Sequence, residues 1–558
     1  MISYRKLAMR VLGHSPVSAV KTARRSTAKR AAALALTAAL VVGMTLPAFA
    51  QDWFIENGDI KISAGANGND VTQNGTTTKD DTDTVIKGNG SSTASSNSVT
   101  IDAGEGKTVD VTLDNVNINT SETGKAAVSV TGKGDTNIEL NGNNTLTSGY
   151  GHAGLEHNKT NDSGTLTITD NNNDGKLTAK ATGDYGAGIG GGNGNNGQVT
   201  ITGGEITAKG GFNGAGIGGG NYGNGTVTIS GGTITEASGG GNMAAGIGGG
   251  RFGDSEIIIK DKAVIENAKG SANGAGIGSG YQGLGKVTIE GNAVIKNAQG
   301  GASGAAGIGG GTLGIGNVTI KGNAQIGNAT GGERGAGIGG GALGTGDVTI
   351  EGNVTIENAK GGAGAAGIGG GAETKPDTED TKNKVSIKST EAGSPNITAT
   401  GGGACVNSHV SLPGAAAIGS GSVNNKSSDQ AKAKSAITIE GKVTINATSG
   451  GDVAIGDNIE KVFNGLAGGT TITRRNAKNE DVSQPGDVVA EPEPEKPKPE
   501  KPEPEEPEQP AEPEKPAQPT VTPTEGAEAP STGSVEVERP VTVEGLYVTN
   551  VLGKQITH

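Results

Sequence analysis

Between Tyr185 and Gly370 short alternating apolar and polar stretches are separated by glycine runs, and the pattern recurs seven times. Each unit of about 30 residues carries Gly-Ala-Gly-Ile-Gly-Gly-Gly or a close variant, then a short turn, a Val-Thr-Ile triplet, a second apolar stretch and a Gly-Gly corner. The isoleucine of the glycine motif falls at Ile189, Ile217, Ile247, Ile277, Ile308, Ile338 and Ile368, in steps of 28, 30, 30, 31, 30 and 30. The triplets Val199-Thr200-Ile201, Val227-Thr228-Ile229, Val287-Thr288-Ile289, Val318-Thr319-Ile320 and Val348-Thr349-Ile350 put β-branched residues in period-two alternation. That is strand chemistry, with valine and isoleucine inward and threonine outward. Each interior glycine would cost a helix about 1 kcal/mol relative to alanine, whereas at a tight corner it supplies positive φ and close backbone approach. A period this constant predicts one supersecondary unit stacked on copies of itself. Three short strands and three corners per unit predict an all-β chain wound as a parallel β-helix, with coils about 4.8 Å apart. Roughly fourteen such coils fit between Gln51 and Ile472, a rod on the order of 65 Å.

Stacking also predicts columns of like residues. Asn267, Asn297, Asn328 and Asn358 form one, and Asn292, Asn323 and Asn353 another. Their amides are expected to bond from coil to coil at corners the strands leave unsatisfied. Solenoid ends invite strand addition, and Trp53-Phe54-Ile55 and Ile459–Leu466 are the expected caps.

Composition divides the chain further. The eight basic residues up to Arg30, the apolar run from Ala31 to Leu46 and the small residues Ala48 and Ala50 form a secretory signal, with cleavage expected after Ala50. The apolar run is too short for a membrane anchor, so the mature chain is expected to have no membrane span. Removing the signal takes the net charge from −13 to −21, which disfavours nucleic acid and anionic lipid as partners. Cys405 is the lone cysteine, so no intrachain disulfide exists. Residues 51–183 are Asn- and Thr-rich, 184–475 hold the glycine repeats with an insertion at 371–416, and 476–534 form an acidic proline-rich stretch. Between Glu491 and Pro519 ten Glu and four Lys alternate with proline, the composition of an extended or disordered stalk. A short strand-like segment, 535–558, follows. Ala529-Pro530-Ser531-Thr532-Gly533 departs from a sortase signal, since alanine replaces leucine and no apolar, basic-ended tail follows.

Several motifs fail on spacing. Gly186-Ala187-Gly188-Ile189-Gly190-Gly191 matches the dinucleotide fingerprint, but so does almost every repeat, and no helix follows. His152 and His157 are five apart in a glycine-rich stretch, not four apart on a helix as a zinc site needs. Asp170, Asn172 and Asp174, with glycine sixth at Gly175, begin like a calcium loop, but Ala181 stands where the twelfth-position acid belongs. No other cofactor is expected. Charges such as Arg251, Asp254, Glu333 and Arg334 are scattered, not gathered on one strand face as in β-helix enzymes.

One constellation suits a ligand. Tyr222, Phe252 and Tyr281 follow the glycine motif nearly in register, with Asn221 and Asn224 beside them. Stacked, they make an aromatic strip with amides at its edge, which suits sugars; mutual packing at a corner is the competing reading. Asp114–Ile118, Glu139–Leu146, Gly164–Ile168 and the repeated Ala-Gly-Ile-Gly-Gly-Gly resemble secreted bacterial proteins containing a carbohydrate-binding domain. These are similar to right-handed β-helix, pectin-lyase-like surface proteins and adhesins. The resemblance spans roughly Gln51 to Ile455 and supplies no catalytic residues. It implies a non-enzymatic extracellular protein of the cell surface or wall that binds carbohydrate or a host surface. A purely structural surface repeat and a β-helix lyase or hydrolase are the alternatives.

Overall fold

The computed structural model describes residues 51–183, 185–373, 383–406, 411–423, 435–456 and 461–490. The signal segment ending at Ala50, the proline-rich stretch from Glu491 and the segment 535–558 lie outside the described residues.

The described chain is the expected right-handed parallel β-helix, a solenoid of about thirteen turns against the fourteen read from the period. The motif isoleucines pair in one parallel column, Ile189 with Ile217, Ile217 with Ile247, Ile247 with Ile277, and so on to Ile368 with Ile418. A second face stacks the Val-Thr-Ile triplets in register, from Val199 on Val227 through Val318 on Val348. A third stacks the second strand of each coil, for example Ile265 on Ile295 and Ile326. Isoleucines and valines from the three faces fill the interior at essentially zero exposure, where apolar burial stabilises by about 25 cal/mol per Å².

The asparagine ladders form, but their place differs. Nδ2 of Asn297, Asn328 and Asn358 donates to Oδ1 of the preceding asparagine at 3.3, 3.0 and 3.1 Å. In the second column Asn323 and Asn353 do the same at 3.1 Å each. The first column stands within a strand, not at a corner. Between Ile206 and Ala208 lies one residue, whereas Ile234 and Ala237 are separated by two, and the register shifts there. From Asn267 on, asparagine occupies the extra outward position, bonded also to a backbone carbonyl of the coil below (Asn267 to Thr235, 3.1 Å). The amides thus satisfy a bulged row that alternation alone leaves loose.

Both ends close by antiparallel strands. At the N-terminal end Ile60–Ala64 lies parallel on Val99–Ala103 but continues into a meander with Asn69–Gln73 and Thr76–Asp81. Trp53 is buried there, its Nε1 donating to Asp81 Oδ2 at 2.7 Å, so its ring belongs to the cap. At the other end Lys461–Leu466 is one more parallel strand on Ser435–Gly441, not a cap. Closure falls to Val488–Val489, antiparallel on Thr470–Arg475, with Arg474 Nη2 and Asp487 Oδ1 paired at 2.6 Å, both buried. Between Ile368 and Ile418, Asn383–Lys388 and Asn396–Thr400 are ordinary coil strands, and Cys405–Val406 with Ser411–Leu412 makes a small hairpin.

Candidate functional site

After each glycine motif the chain turns through Gly-x-x-Gly. The turns Gly220–Gly223, Gly250–Gly253, Gly280–Gly283, Gly311–Gly314 and Gly341–Gly344 are each closed by the last N–H bonding to the first carbonyl, at 2.7–3.3 Å. The third residue is left-handed: Tyr222 (φ 64°), Phe252 (56°), Gln282 (63°), Leu313 (63°) and Leu343 (64°). This is the backbone of a turn that favours glycine or asparagine, and glycine fills it at Gly194 (φ 75°). A bulky side chain there costs about 1–2 kcal/mol. The turn aims these side chains at solvent: Tyr222 is 54 %, Phe252 38 % and Leu343 39 % exposed.

The rings meet. Tyr222 and Phe252 stack with centroids 5.8 Å apart and planes 26° apart, and Phe252 and Tyr281 lie 5.6 Å apart at 59°. Tyr281 is one residue out of register. It aligns with Asn221 and Arg251, while Gln282 takes the left-handed place. Arg251 lies beside the stacked Tyr222–Phe252 pair, its guanidinium carbon 5.1 Å from the Tyr222 centroid and 4.7 Å from that of Phe252. That geometry is a cation–π contact worth about 0.5–1 kcal/mol on an open surface.

A second row went unnoticed in the sequence. Tyr150 packs edge-on against Tyr185 at 5.8 Å, and Tyr185 against Phe212 at 6.3 Å. These residues stand just before the glycine motif, and the fold brings them to the turn just after it. Asn221 N–H donates to Tyr185 O (2.8 Å), Arg251 N–H to Asn213 O (3.0 Å) and Tyr281 N–H to Met243 O (3.0 Å). The two aromatic rows therefore flank one seam that crosses coil boundaries. The available signal was that Tyr185 and Phe212 stand four and five residues ahead of the motif isoleucines Ile189 and Ile217.

The amides divide. Asn221 is buried, its Nδ2 bonded to Asn193 Oδ1 at 3.1 Å. Its Oδ1, like Asn213 Oδ1 and Arg251 Nε, is a buried polar atom with no hydrogen-bond partner. Asn224 is tied into the scaffold: its Oδ1 accepts Asp254 N–H (2.8 Å), its own N–H donates to Asn196 Oδ1 (2.8 Å), and Leu284 N–H donates to Asp254 Oδ1 (2.7 Å).

Asp170 and Asp174 lie in a turn whose donors are committed. Asp170 Oδ1 and Oδ2 accept the N–H groups of Asp174 and Gly175, both at 3.2 Å, and Asn172 Nδ2 reaches Asn141 Oδ1 at 3.4 Å. Burial raises the Asp170 pKa, which opposes the charged form a cation needs. Among the described residues, no three or more of His, Cys, Asp and Glu gather where they could hold a metal ion. His152 and His157 diverge. His152 Nδ1 pairs with Oε2 of buried Glu156 at 2.9 Å, and the bond to Glu156 raises its pKa. His157 is buried with Nδ1 against Gln198 O at 2.8 Å, and desolvation lowers its pKa.

A strand-face groove of about 390 Å³ holds Asp110 and Glu139. Both carboxylates already have partners: Asp110 accepts Asn137 Nδ2 at 2.8 Å, and Glu139 accepts Asn171 N–H and Nδ2 at 2.7 and 2.8 Å.

Residues 173–193, 199–221 and 227–251 match the family of β-helix repeats. The three matched stretches end at Asn193, Asn221 and Arg251, the same turn position in consecutive coils. No curated protein and no solved structure matches the chain. No helix of the described residues is long and apolar enough to cross a membrane.

Proposed function

We propose that this β-helix is a non-enzymatic extracellular protein of the bacterial surface that binds carbohydrate along the aromatic seam. One observation carries the reading: Tyr222 and Phe252 are held at positive φ, where glycine would cost less, yet project outward with large exposed faces. Flat exposed aromatic faces are the chemistry that supports the apolar face of a sugar ring. Strain kept at an exposed apolar group suggests function. The competing structural reading draws on the same rings, because contacts of 5.6–5.8 Å also describe side chains covering one another.

Glycan-array binding by the purified chain separates the two. Loss of binding in the Tyr222→Ala, Phe252→Ala double variant, with an unchanged unfolding transition, supports the platform. Undiminished binding, or no glycan bound by the parent protein, overturns it. Release of reducing ends or unsaturated products from polysaccharide would instead favour the lyase or hydrolase reading.

A further inference from the structure

Arg251 is the anomaly of the seam. Among the described arginines, Arg334 meets Glu373 at 3.3 Å, Arg474 meets Asp487 at 2.6 Å, and Arg475 donates to Asn479 O at 3.1 Å. Among the described residues no carboxylate or other acceptor pairs with the Arg251 guanidinium, although the whole chain carries a net charge of −13. Two rings pack against that guanidinium. The Arg251 Nε, a donor, is buried without a partner, as are the acceptor Oδ1 atoms of Asn213 and Asn221 in the adjoining turns. Such a cluster calls for a reason beyond packing. A guanidinium packed against two rings, with no acid paired to it among the described residues, is a fork positioned for a planar or tetrahedral oxyanion.

We infer that the seam selects acidic glycans, with Arg251 as the residue that receives a carboxylate or sulfate group while Tyr222 and Phe252 support the sugar ring. The inference rests on the platform reading of the same rings and adds the ligand's charge. The bound group would lie across the turn, taking paired hydrogen bonds from Nη1 and Nη2. A neutral sugar would stack but leave the guanidinium unmatched.

The test uses the whole secreted chain and four polymers: dextran, carboxymethyl-dextran, dextran sulfate and hyaluronate. The expected result is tighter binding of at least one charged polymer than of dextran by roughly tenfold, weakening with salt. Arg251→Gln abolishes that preference without moving the unfolding midpoint. Arg251→Lys, a point charge without the fork, recovers only part of it. Carboxymethyl-dextran and hyaluronate against dextran sulfate decide which anion is taken. Equal binding of charged and neutral polymers, no binding of any, or a preference that survives Arg251→Gln overturns the inference. If the double ring variant loses dextran while Arg251→Gln changes nothing, the platform stands and the acidic selectivity fails. If Arg251→Gln abolishes charged binding while the ring variant binds normally, the platform is what fails.

Discussion

Gly248 and Gly194 both have positive φ, but replacing each by alanine should give very different outcomes. Gly248 (φ 132°) lies in the Ile-Gly column, paired with Gly278 of the next coil. A methyl group there would collide with the Gly278 carbonyl oxygen and stand 3.0 Å from Ile257 Cδ1. That same carbonyl accepts the Gly249 N–H at 3.1 Å. Gly194 (φ 75°) is a turn residue with nothing within 4 Å of a built Cβ. For Gly194→Ala only the left-handed backbone is penalised, about 1–2 kcal/mol. Gly248→Ala adds about 1–3 kcal/mol of overpacking and about 1 kcal/mol for the weakened ladder bond, so about 3–6 kcal/mol altogether. Since each coil touches only its neighbours, the damage should stay local. Hydrogen exchange read by mass spectrometry should rise in peptides covering Ile247–Gly250 and Ile277–Gly280, and stay unchanged in coils several steps away. Urea unfolding of the two variants gives the ranking. Equal destabilisation, within about 0.5 kcal/mol, would mean that close coil approach does not dictate the glycine motif.

The ladder makes a graded prediction. Asn297→Ala removes two donated bonds, to Glu266 O and Asn267 Oδ1, and one accepted from Asn328, and should cost about 1 kcal/mol in urea unfolding, less than the sum of three buried bonds because the row is exposed. Asn358→Ala, at the end of the column, should cost about half as much, and a reversed order would refute the ladder's cooperative role. The two histidines should titrate on opposite sides of their ordinary value in NMR. His152, raised by Glu156, adds stability that is fully present below the unfolded pKa and lost as pH rises through the folded one. His157, lowered by burial, adds stability present above the unfolded pKa and lost as pH falls through the folded one. Co-titration of the pair would show that their surroundings do not differ in this way.

The seam shows why surfaces shared between coils of a solenoid are hard to see in one dimension. Tyr222 and Phe252 are 30 residues apart and plainly belong to one repeat position. Tyr185 and Asn221 belong to different positions in different coils, yet share a backbone hydrogen bond of 2.8 Å. Tyr281 stands four residues after Ile277, where Tyr222 and Phe252 stand five after Ile217 and Ile247. Counting from the motif places it near Phe252, but the Gly280–Gly283 turn assigns the left-handed place to Gln282.

From the chain alone, the constant step between Ile189 and Ile368, the Val-Thr-Ile alternation and the glycine content were enough to determine a stacked β-coil. Each of these is a local property that repeats, and in-register stacking converts repetition directly into columns. The asparagine ladders followed from the same logic, although the place of the Asn267–Asn358 column on a bulged strand row did not. Tertiary structure alone decided that the turns before and after the glycine motif converge, that Arg251 packs beside two stacked rings with no acid paired to it among the described residues, and that the ends close by antiparallel strands at Ile60–Asp81 and Thr470–Val489. Those outcomes depend on how far each coil is rotated and where its corners close. That rotation is set by packing across the interior, summed over all three faces, and no single repeat encodes it.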